Sequence, residues 1–336
     1  MSMSARAGDR GPYSSANASY HVGGGPMLDL RRMMLLCDLA DLGTVTAVAE
    51  RRSITSSAVS QQLRVLEGEV GAVLFQRDGR KLGLTRAGQV FVDHLRRVVG
   101  AIDEAMSAVA ATRDSTAGSL VIAAFNMGVP MLAAPAASRL RRHEGALHVE
   151  IQQAAGEAAL RMLRRGELDV AITCRYGFDE RPSLSGLVEE KLLDEPLVVM
   201  APAKYHMNIR NCGLSALADV PWVTGVTDTG LTVALQQAAD AAGFMPKVRH
   251  RVYGSQNICE VAATGIAAAI LPRLSVPDHL ERLLVDGTDF GTREINVLVR
   301  EGRQRDPNIK LVLRELRQIV EETWPGSVRT ELTVAV

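Results

Sequence analysis

The sequence predicts a mixed α/β chain in three parts: a small helical head, one long helix, and a larger body of strands and helices. Three observations carry that expectation. Residues 44–67, TVTAVAERRSITSSAVSQQLRVLE, hold two short helical patterns across a tight break. Phe91, Leu95, Val98, Ile102, Ala105 and Val109 follow the alternating four- and three-residue spacing of a coiled-coil seam. From residue 118 onward, strand-like apolar runs alternate with helical ones, the order of a parallel-type α/β sheet.

In the head, Leu30, Met34 and Cys37 recur at helical spacing over 29–40, widened by Met33, Leu36 and Ala40, so a first helix braces the next two. Val45, Val48 and Ala49 mark the second helix, closed by Arg51 and Arg52, cations suited to a helix C-terminus. Thr55 is placed to cap a third helix. In that helix Ala58, Val59, Leu63 and Leu66 face inward, which leaves Ser56, Ser57, Ser60, Gln61 and Arg64 outward. Such a row fits a DNA major groove: serine and glutamine reach base edges or phosphates, and arginine grips guanine O6 and N7 in a fork. An ordinary helical hairpin with a solvated polar face is the alternative. Residues 73–85, VLFQRDGRKLGLT, read as two short strands around Asp78-Gly79. They would hold Arg77, Arg80 and Lys81 against phosphates, contacts that add affinity without sequence information.

The long helix covers 86–114. Its seam predicts self-association, and Gly100 weakens it by about 1 kcal/mol relative to alanine, so it depends on a partner helix. Residues 115–118 break the helix. Strands are then expected at 119–124, 147–153 and 168–174, with helices at 129–143 and 158–165 between them. A looser stretch, 176–186, precedes LVEEKLLDEPLVVMAP at 187–202. Beyond it come strands at 220–225, 247–253 and 265–272, helices at 229–242 and 255–264, a returning strand at 293–300 and a last helix at 309–323.

With its flanks, the helical pair resembles the winged helix-turn-helix of LysR-type transcriptional regulators. Ala49, Glu50 and Arg51 fit the family's second helix; Ser60, Leu63, Arg64, Leu66 and Glu67 fit its recognition helix. Gly71, Leu74, Phe75, Arg77, Leu84, Thr85 and Gly88 resemble the wing and the start of the helix after it. The family often has Gln-Pro where Ser56-Ser57 stand, and arginine where Gln61 stands. GELDVAI (166–172) and GIAAAILP (265–272) resemble segments of its effector domains.

The resemblance implies a DNA-binding domain at 27–85 and a linker dimerisation helix at 86–114. Two lobes of periplasmic-binding-protein type come next, 118–198 with 293–325 and 199–292, with an effector cleft between them. The implied partners are promoter DNA, a small-molecule effector such as an organic acid or other metabolite, a homodimer pairing into a homotetramer, and RNA polymerase. Ligands of α/β sheets sit beyond the carboxyl ends of strands, near helix N-termini. That rule and the resemblance place Asn126, Met127, Gly128, Ala155, Gly156, Thr173, Arg175, Trp222, Thr224, Asp228, Thr229, Ser255 and Asn257 along the cleft. The family often has serine or threonine where Asn126 or Met127 stands, and Arg175 is the candidate replacement anchor for an acid. A surface ion pair for Arg175 and lobe packing for Trp222 are the alternatives.

Lys+Arg and Asp+Glu are each 38, so the whole chain is neutral, which argues weakly against nucleic acid. The head answers locally. Residues 51–86 hold Arg51, Arg52, Arg64, Arg77, Arg80, Lys81 and Arg86 against Glu67, Glu69 and Asp78, a net charge of +4. The four cysteines, Cys37, Cys174, Cys212 and Cys259, form no CxxC pair and suit reduced thiols in a cytoplasm. No apolar run has the length of a membrane span. Residues 1–26, rich in Gly, Ser and Ala, read as a flexible tail without a secretory h-region. No hydrolase elbow, zinc-protease helix, Walker loop or dinucleotide fingerprint occurs, and no cofactor or metal is expected. Two readings of another class stay open. One is an enzyme or binding protein whose head only mediates assembly. The other is a thiol redox sensor using an exposed, low-pKa Cys174, Cys212 or Cys259.

Overall fold

The computed structural model describes residues 19–20, 28–78, 81–112, 118–143, 147–226, 229–285, 290–324 and 332–334. The chain divides into two compact units, Met1–Val99 and Gly100–Val336.

In the first unit β1 (Ser19–Tyr20) pairs antiparallel with β2 (Leu28–Asp29). Part of the stretch expected to be a flexible tail is therefore a strand; the rest of 1–26 lies outside the described residues. The helix α1 (Leu30–Leu42) opens where Asp29 accepts from the Arg31 amide at 2.8 Å, and it stops at Gly43, φ 73°. Its buried face is Met33, Leu35, Leu36, Asp38 and Leu39, whereas Leu30, Met34 and Cys37 are only half-buried. Met33 and Leu36 of the expected stripe are buried and Cys37 and Ala40 pack against the same core, while Leu35, Leu39 and the carboxylate Asp38 join the buried face. Next, α2 (Val45–Arg52) is capped by Thr44 and ends at Ser53, a non-glycine residue at φ 53°. The third helix, α3 (Ser56–Val70), is capped by Thr55, whose hydroxyl accepts from the Ala58 amide at 3.2 Å. Val59, Leu63 and Leu66 are sealed in the core with Leu36 and Val48; Ala58 is half-buried at its margin.

A hairpin comes next, β3 (Phe75–Asp78) and β4 (Lys81–Leu84), with Phe75 opposite Leu84 and Asp78 opposite Lys81. Its connecting pair 79–80 lies outside the described residues. The long helix α4 (Arg86–Ala110) starts on this hairpin: Thr85 donates to the Val73 carbonyl and accepts from the Gly88 amide. A side chain at Gly88 would stand 1.9 Å from the Leu74 carbonyl oxygen. Only glycine allows the helix to sit so close.

The second unit takes in the end of α4 and the body. Its elements are β5 (Gly118–Ala124), a π-helical turn Val129–Ala133 leading into α5 (Ala134–His143), β6 (Leu147–Gln153), α6 (Gly156–Arg164), β7 (Val170–Tyr176) and the long β8 (Leu187–Met200). Then come α7 (His206–Cys212), β9 (Pro221–Thr224), α8 (Gly230–Ala241), β10 (Lys247–Arg251), α9 (Ser255–Ala263), β11 (Ala269–Pro272), β12 (Thr292–Arg300), α10 (Pro307–Thr323) and β13 (Leu332–Val334). The main sheet runs β11-β8-β12-β7-β5-β6, with β13 also on β8; β9 and β10 pair in parallel.

The sheet is mixed, where the alternation of elements implied a parallel one. Pairings around β5 are parallel, but β8 and β12 run antiparallel to each other and to their other neighbours. These two strands carry the chain out of the first cluster of buried side chains and back again, which requires opposite directions. One core gathers Ile122, Ile172, Val297 and Leu316 under α5 and α10; a second gathers Val199, Trp222, Leu235 and Ile258. The last helix begins two residues before the expected start, because Asp306 caps it and Pro307 opens its first turn. The strand β6 is exposed over most of its length, as an edge strand, so its apparent alternation does not mark a buried face.

Candidate DNA-binding and effector sites

On α3, Ser56, Ser57, Ser60, Gln61 and Arg64 share one side of the helix, opposite the sealed Val59, Leu63 and Leu66. Thr55, Ser56, Ser57, Gln61 and Arg64 are exposed, and Ser60 is half-buried. Three hydroxyls are partly engaged: Thr55 and Ser57 share a hydrogen bond at 2.9 Å, and Ser60 donates to the Ser56 carbonyl at 2.9 Å. Arg64 makes no ion pair among the described residues. The backbone places Arg77 and Lys81 near the hairpin tip, Arg77 opposite Leu82. Their side chains, and all of Arg80, lie outside the described residues.

The local charge divides differently from the count along the sequence. Arg51 and Arg52 both reach the buried Asp38, with Nε–Oδ distances of 3.4 and 2.5 Å. They tie α2 to α1 and are not free for phosphates. Glu67 and Glu69 also turn inward. Glu67 accepts from the Leu74 and Phe75 amides, fixing the hairpin to the end of α3, and Glu69 pairs with Arg32 at 2.6 Å. The outward ridge therefore keeps Arg64 without a carboxylate beside it.

In the body, Asn126, Met127 and Gly128 follow the carboxyl end of β5, and Ala155 and Gly156 that of β6. The Asn126 amide comes so close to Gly254 that a side chain there would meet it at 2.8 Å, which brings the loop after β5 against the start of α9. Beside it Ser255 accepts from Ser275 at 2.8 Å, while Asn257 donates to the Tyr253 carbonyl. Thr173 and Thr224 are buried, and the Thr224 hydroxyl has no partner among the described residues. Thr229 shares a hydrogen bond with Thr232 at 3.0 Å ahead of α8. Asp228 lies outside the described residues.

Three expected cleft residues have other duties. Arg175 pairs with Glu294 and, at 3.6 Å, with Glu189, so its charge is already met. Trp222 is fully buried, donates to the Leu217 carbonyl and stacks near Phe244: it is core packing. Met127 packs against the first core.

Sequence reasoning missed a buried cluster where β8 and β12 cross. Arg293 Nε donates to Glu195 at 2.6 Å, with side chains 5% and 0% exposed. Glu195 also accepts from the Leu274 amide, and the guanidinium lies 5.1 Å from the centre of the Phe125 ring. Burial pushes the Glu195 carboxyl above its ordinary range against the pull of Arg293. Burial likewise drives the Tyr176 hydroxyl up to about 12. In the sequence Arg293 is legible only as one residue of an alternating strand, and no local motif marks it. Among the described residues no group of His, Cys, Asp or Glu is gathered to hold a metal, and no helix is long and apolar enough to cross a membrane.

Residues 30–89 match the family described as bacterial regulatory helix-turn-helix protein, lysR family, and residues 113–321 match the LysR substrate binding domain. The nitrogen assimilation regulatory protein nac of Klebsiella aerogenes is 25% identical over 251 residues, 73% of this chain and 78% of its own. A probable nitrogen assimilation transcriptional activator of Synechococcus elongatus is 25% identical over 308 residues, 89% and 96% of the two chains. Among solved structures, a full-length OxyR variant from Pseudomonas aeruginosa superposes with a TM-score of 0.58 at 19% identity, covering 86% of this chain and 95% of its own. Full-length LysG from Corynebacterium glutamicum with arginine bound as effector gives 0.57 at 20% identity, covering 88% and 99%. At such identities the two structures speak for the fold.

Proposed function

Because the chain belongs to the LysR family, and is a DNA-binding transcriptional regulator with an effector-binding domain, we propose how its residues divide that work. Ser56, Ser57, Gln61 and Arg64 read base edges, with Thr55 and Ser60 beside them on phosphates. Arg77, Arg80 and Lys81 hold the flanking backbone. The observation that carries this reading is the outward ridge on α3, in which Arg64 stands exposed and without an ion pair among the described residues. A free guanidinium on a rigid helix is what a bidentate guanine contact needs.

The effector is a small polar metabolite such as an organic acid, held by Asn126, Thr173, Thr224, Thr229 and Ser255 near the loops after β5 and before α9. LysG of Corynebacterium glutamicum holds an amino acid in the same fold, which supports a small polar ligand here. The ligand acts by binding one arrangement of the lobes better than another. The regulator works in the cytoplasm as a homodimer joined along α4, pairs of dimers form a tetramer, and RNA polymerase is the downstream partner.

Mobility shift of a promoter fragment at graded salt tests the division of labour. Arg64→Ala should lose about 1–3 kcal/mol of preference for the specific site, whereas Lys81→Ala should weaken all duplexes alike and lower the salt slope by about one. Equal, salt-insensitive behaviour of both variants overturns the assignment.

A further inference from the structure

A second concavity lies in the first lobe, away from the loops that face the effector. Cross-strand neighbours of β8 and β12 floor it: Val188 stands opposite Val299, and Glu190 opposite Val297. One face of α10 forms its roof, where Lys310, Leu313, Arg314 and Arg317 recur at helical spacing. Gln304, from the turn between β12 and α10, closes one end. The cavity holds about 440 Å³, within the range of roughly 300–1,000 Å³ of small-molecule sites.

The walls state what would fit. Val188, Val297, Val299 and Leu313 belong to the first core and give the concavity an apolar base. Arg317 is matched by Glu190 through two bonds of 2.5 and 2.7 Å, which leaves that pair neutral. Lys310 is exposed and has no ion pair among the described residues, and Arg314 touches only its sequence neighbour Glu315, at 3.4 Å. The rim therefore carries positive charge beyond what Glu190 offsets. The Gln304 side-chain oxygen is buried without a hydrogen-bond partner, and a buried acceptor calls for a donor.

We propose that this cavity is a second ligand site, taking a small organic monoanion: its apolar body lies on the valine floor, its carboxylate meets Lys310 and Arg314, and a hydroxyl or amine donates to Gln304. The site is independent of the effector reading of the loops after β5. Its position gives it a route to the long helix. Val299 is followed by Arg300, the residue that holds Asp103 of α4.

Calorimetric titration of the full-length chain with 4-hydroxyphenylacetate tests this, with the uncharged amide of the same acid as control. Saturable binding of the acid is expected. It should weaken about tenfold or more for the amide, for Lys310→Glu and for Arg314→Glu. Both substitutions are at exposed positions, so a thermal melt should stay near that of the parent chain. Leu313→Trp fills the cavity and should abolish binding; if that variant fails to fold, the two charge reversals decide. The proposal is overturned if the acid does not bind, or if the charge reversals bind as well as the parent. It is also overturned if Thr173→Ala abolishes binding while Lys310→Glu keeps it, since the acid then sits among the effector loops.

Discussion

Arg300 donates its Nε to the Asp103 carboxylate at 2.8 Å, joining the end of β12 to α4 inside the second unit. The same guanidinium donates to the carbonyls of Leu163 and Leu168, so it also pins the loop that comes after α6. Two glycines bring the segments this close: a side chain at Gly302 would strike the Gly100 carbonyl at 2.0 Å, and one at Gly100 would press on Glu301 at 3.1 Å. Gly100, a weak point when the helix is read alone, is thus the place where the turn after β12 docks. With Asp103 only 5% exposed, removing Arg300 takes a cation away from a buried carboxylate. Arg300→Met should cost about 3 kcal/mol, as for other broken buried pairs. Urea unfolding of Arg300→Met, Asp103→Asn and the double variant should return a coupling of about 1–3 kcal/mol; strict additivity refutes the link.

Asp38 makes the corresponding tie in the first unit. It draws in Arg51 and Arg52 and so fixes α2, which carries the turn that aims α3. Asp38→Ala removes the carboxylate that both half-buried guanidinium groups reach, and should lower the stability of residues 27–85 by about 2 kcal/mol, discounted for their exposure. DNA affinity should fall for every sequence alike, because the whole ridge is tilted and no base contact is singled out. A loss confined to one operator sequence, with an unchanged melting temperature, contradicts this role.

The order of elements was legible because it rests on period and punctuation. Thr55 before Ser56 and Gly71 after Val70 are local signals, and the structure uses each as a cap; Asp306-Pro307 is a signal of the same kind, and passing over it put the last helix two residues late. The outward stripe of α3 was legible for the same reason: Val59, Leu63 and Leu66 fix which side is buried. Long-range electrostatics were not legible. In the sequence Asp38 is one more polar residue between apolar ones, and Glu195 and Arg293 stand 98 residues apart in the chain. Arg175 reads equally as an anchor or as half of an ion pair, and only the fold sets Glu294 and Glu189 beside it. The strand β13 had no apolar run long enough to read, since it pairs with β8 through only three residues.

Thiol chemistry separates sharply among the cysteines. Burial pushes the Cys37 thiol up to about 12 and that of Cys259 up to about 11, and it also raises Cys174. A raised thiol pKa keeps the neutral form in the fold, so the stability gained from burying it is present below the ordinary value. That stability is lost as pH climbs from the ordinary thiol value through the raised ones. Cys212 is exposed at the end of α7. Iodoacetamide at about pH 8 should therefore alkylate Cys212 in the native chain and the other three only after denaturation. Mass spectrometry of tryptic peptides reads the outcome, and rapid native labelling of Cys174 or Cys259 would reopen a redox-sensing role.

The seam on α4 splits into two faces with different employment. Leu95 is buried and Phe91 half-buried in the core of the head, so they are spent within one chain. Val98 and Val109 are 48% and 57% exposed, and Met106 lies 55% exposed beside them. Val98 and, eight and eleven residues on, Met106 and Val109 lower their free energy when a second copy covers them. Val98→Glu and Val109→Glu would each bring a carboxylate into that contact and cost about 2 kcal/mol or more per buried site. Sedimentation velocity should then show the dimer dissociating at concentrations where the parent chain stays paired. Because two heads on one duplex bind far more tightly than one, the same variants should lose most of their DNA affinity with the α3 ridge intact. If the variants remain dimeric, the exposed stripe is not the contact, and the copies must meet elsewhere on the chain.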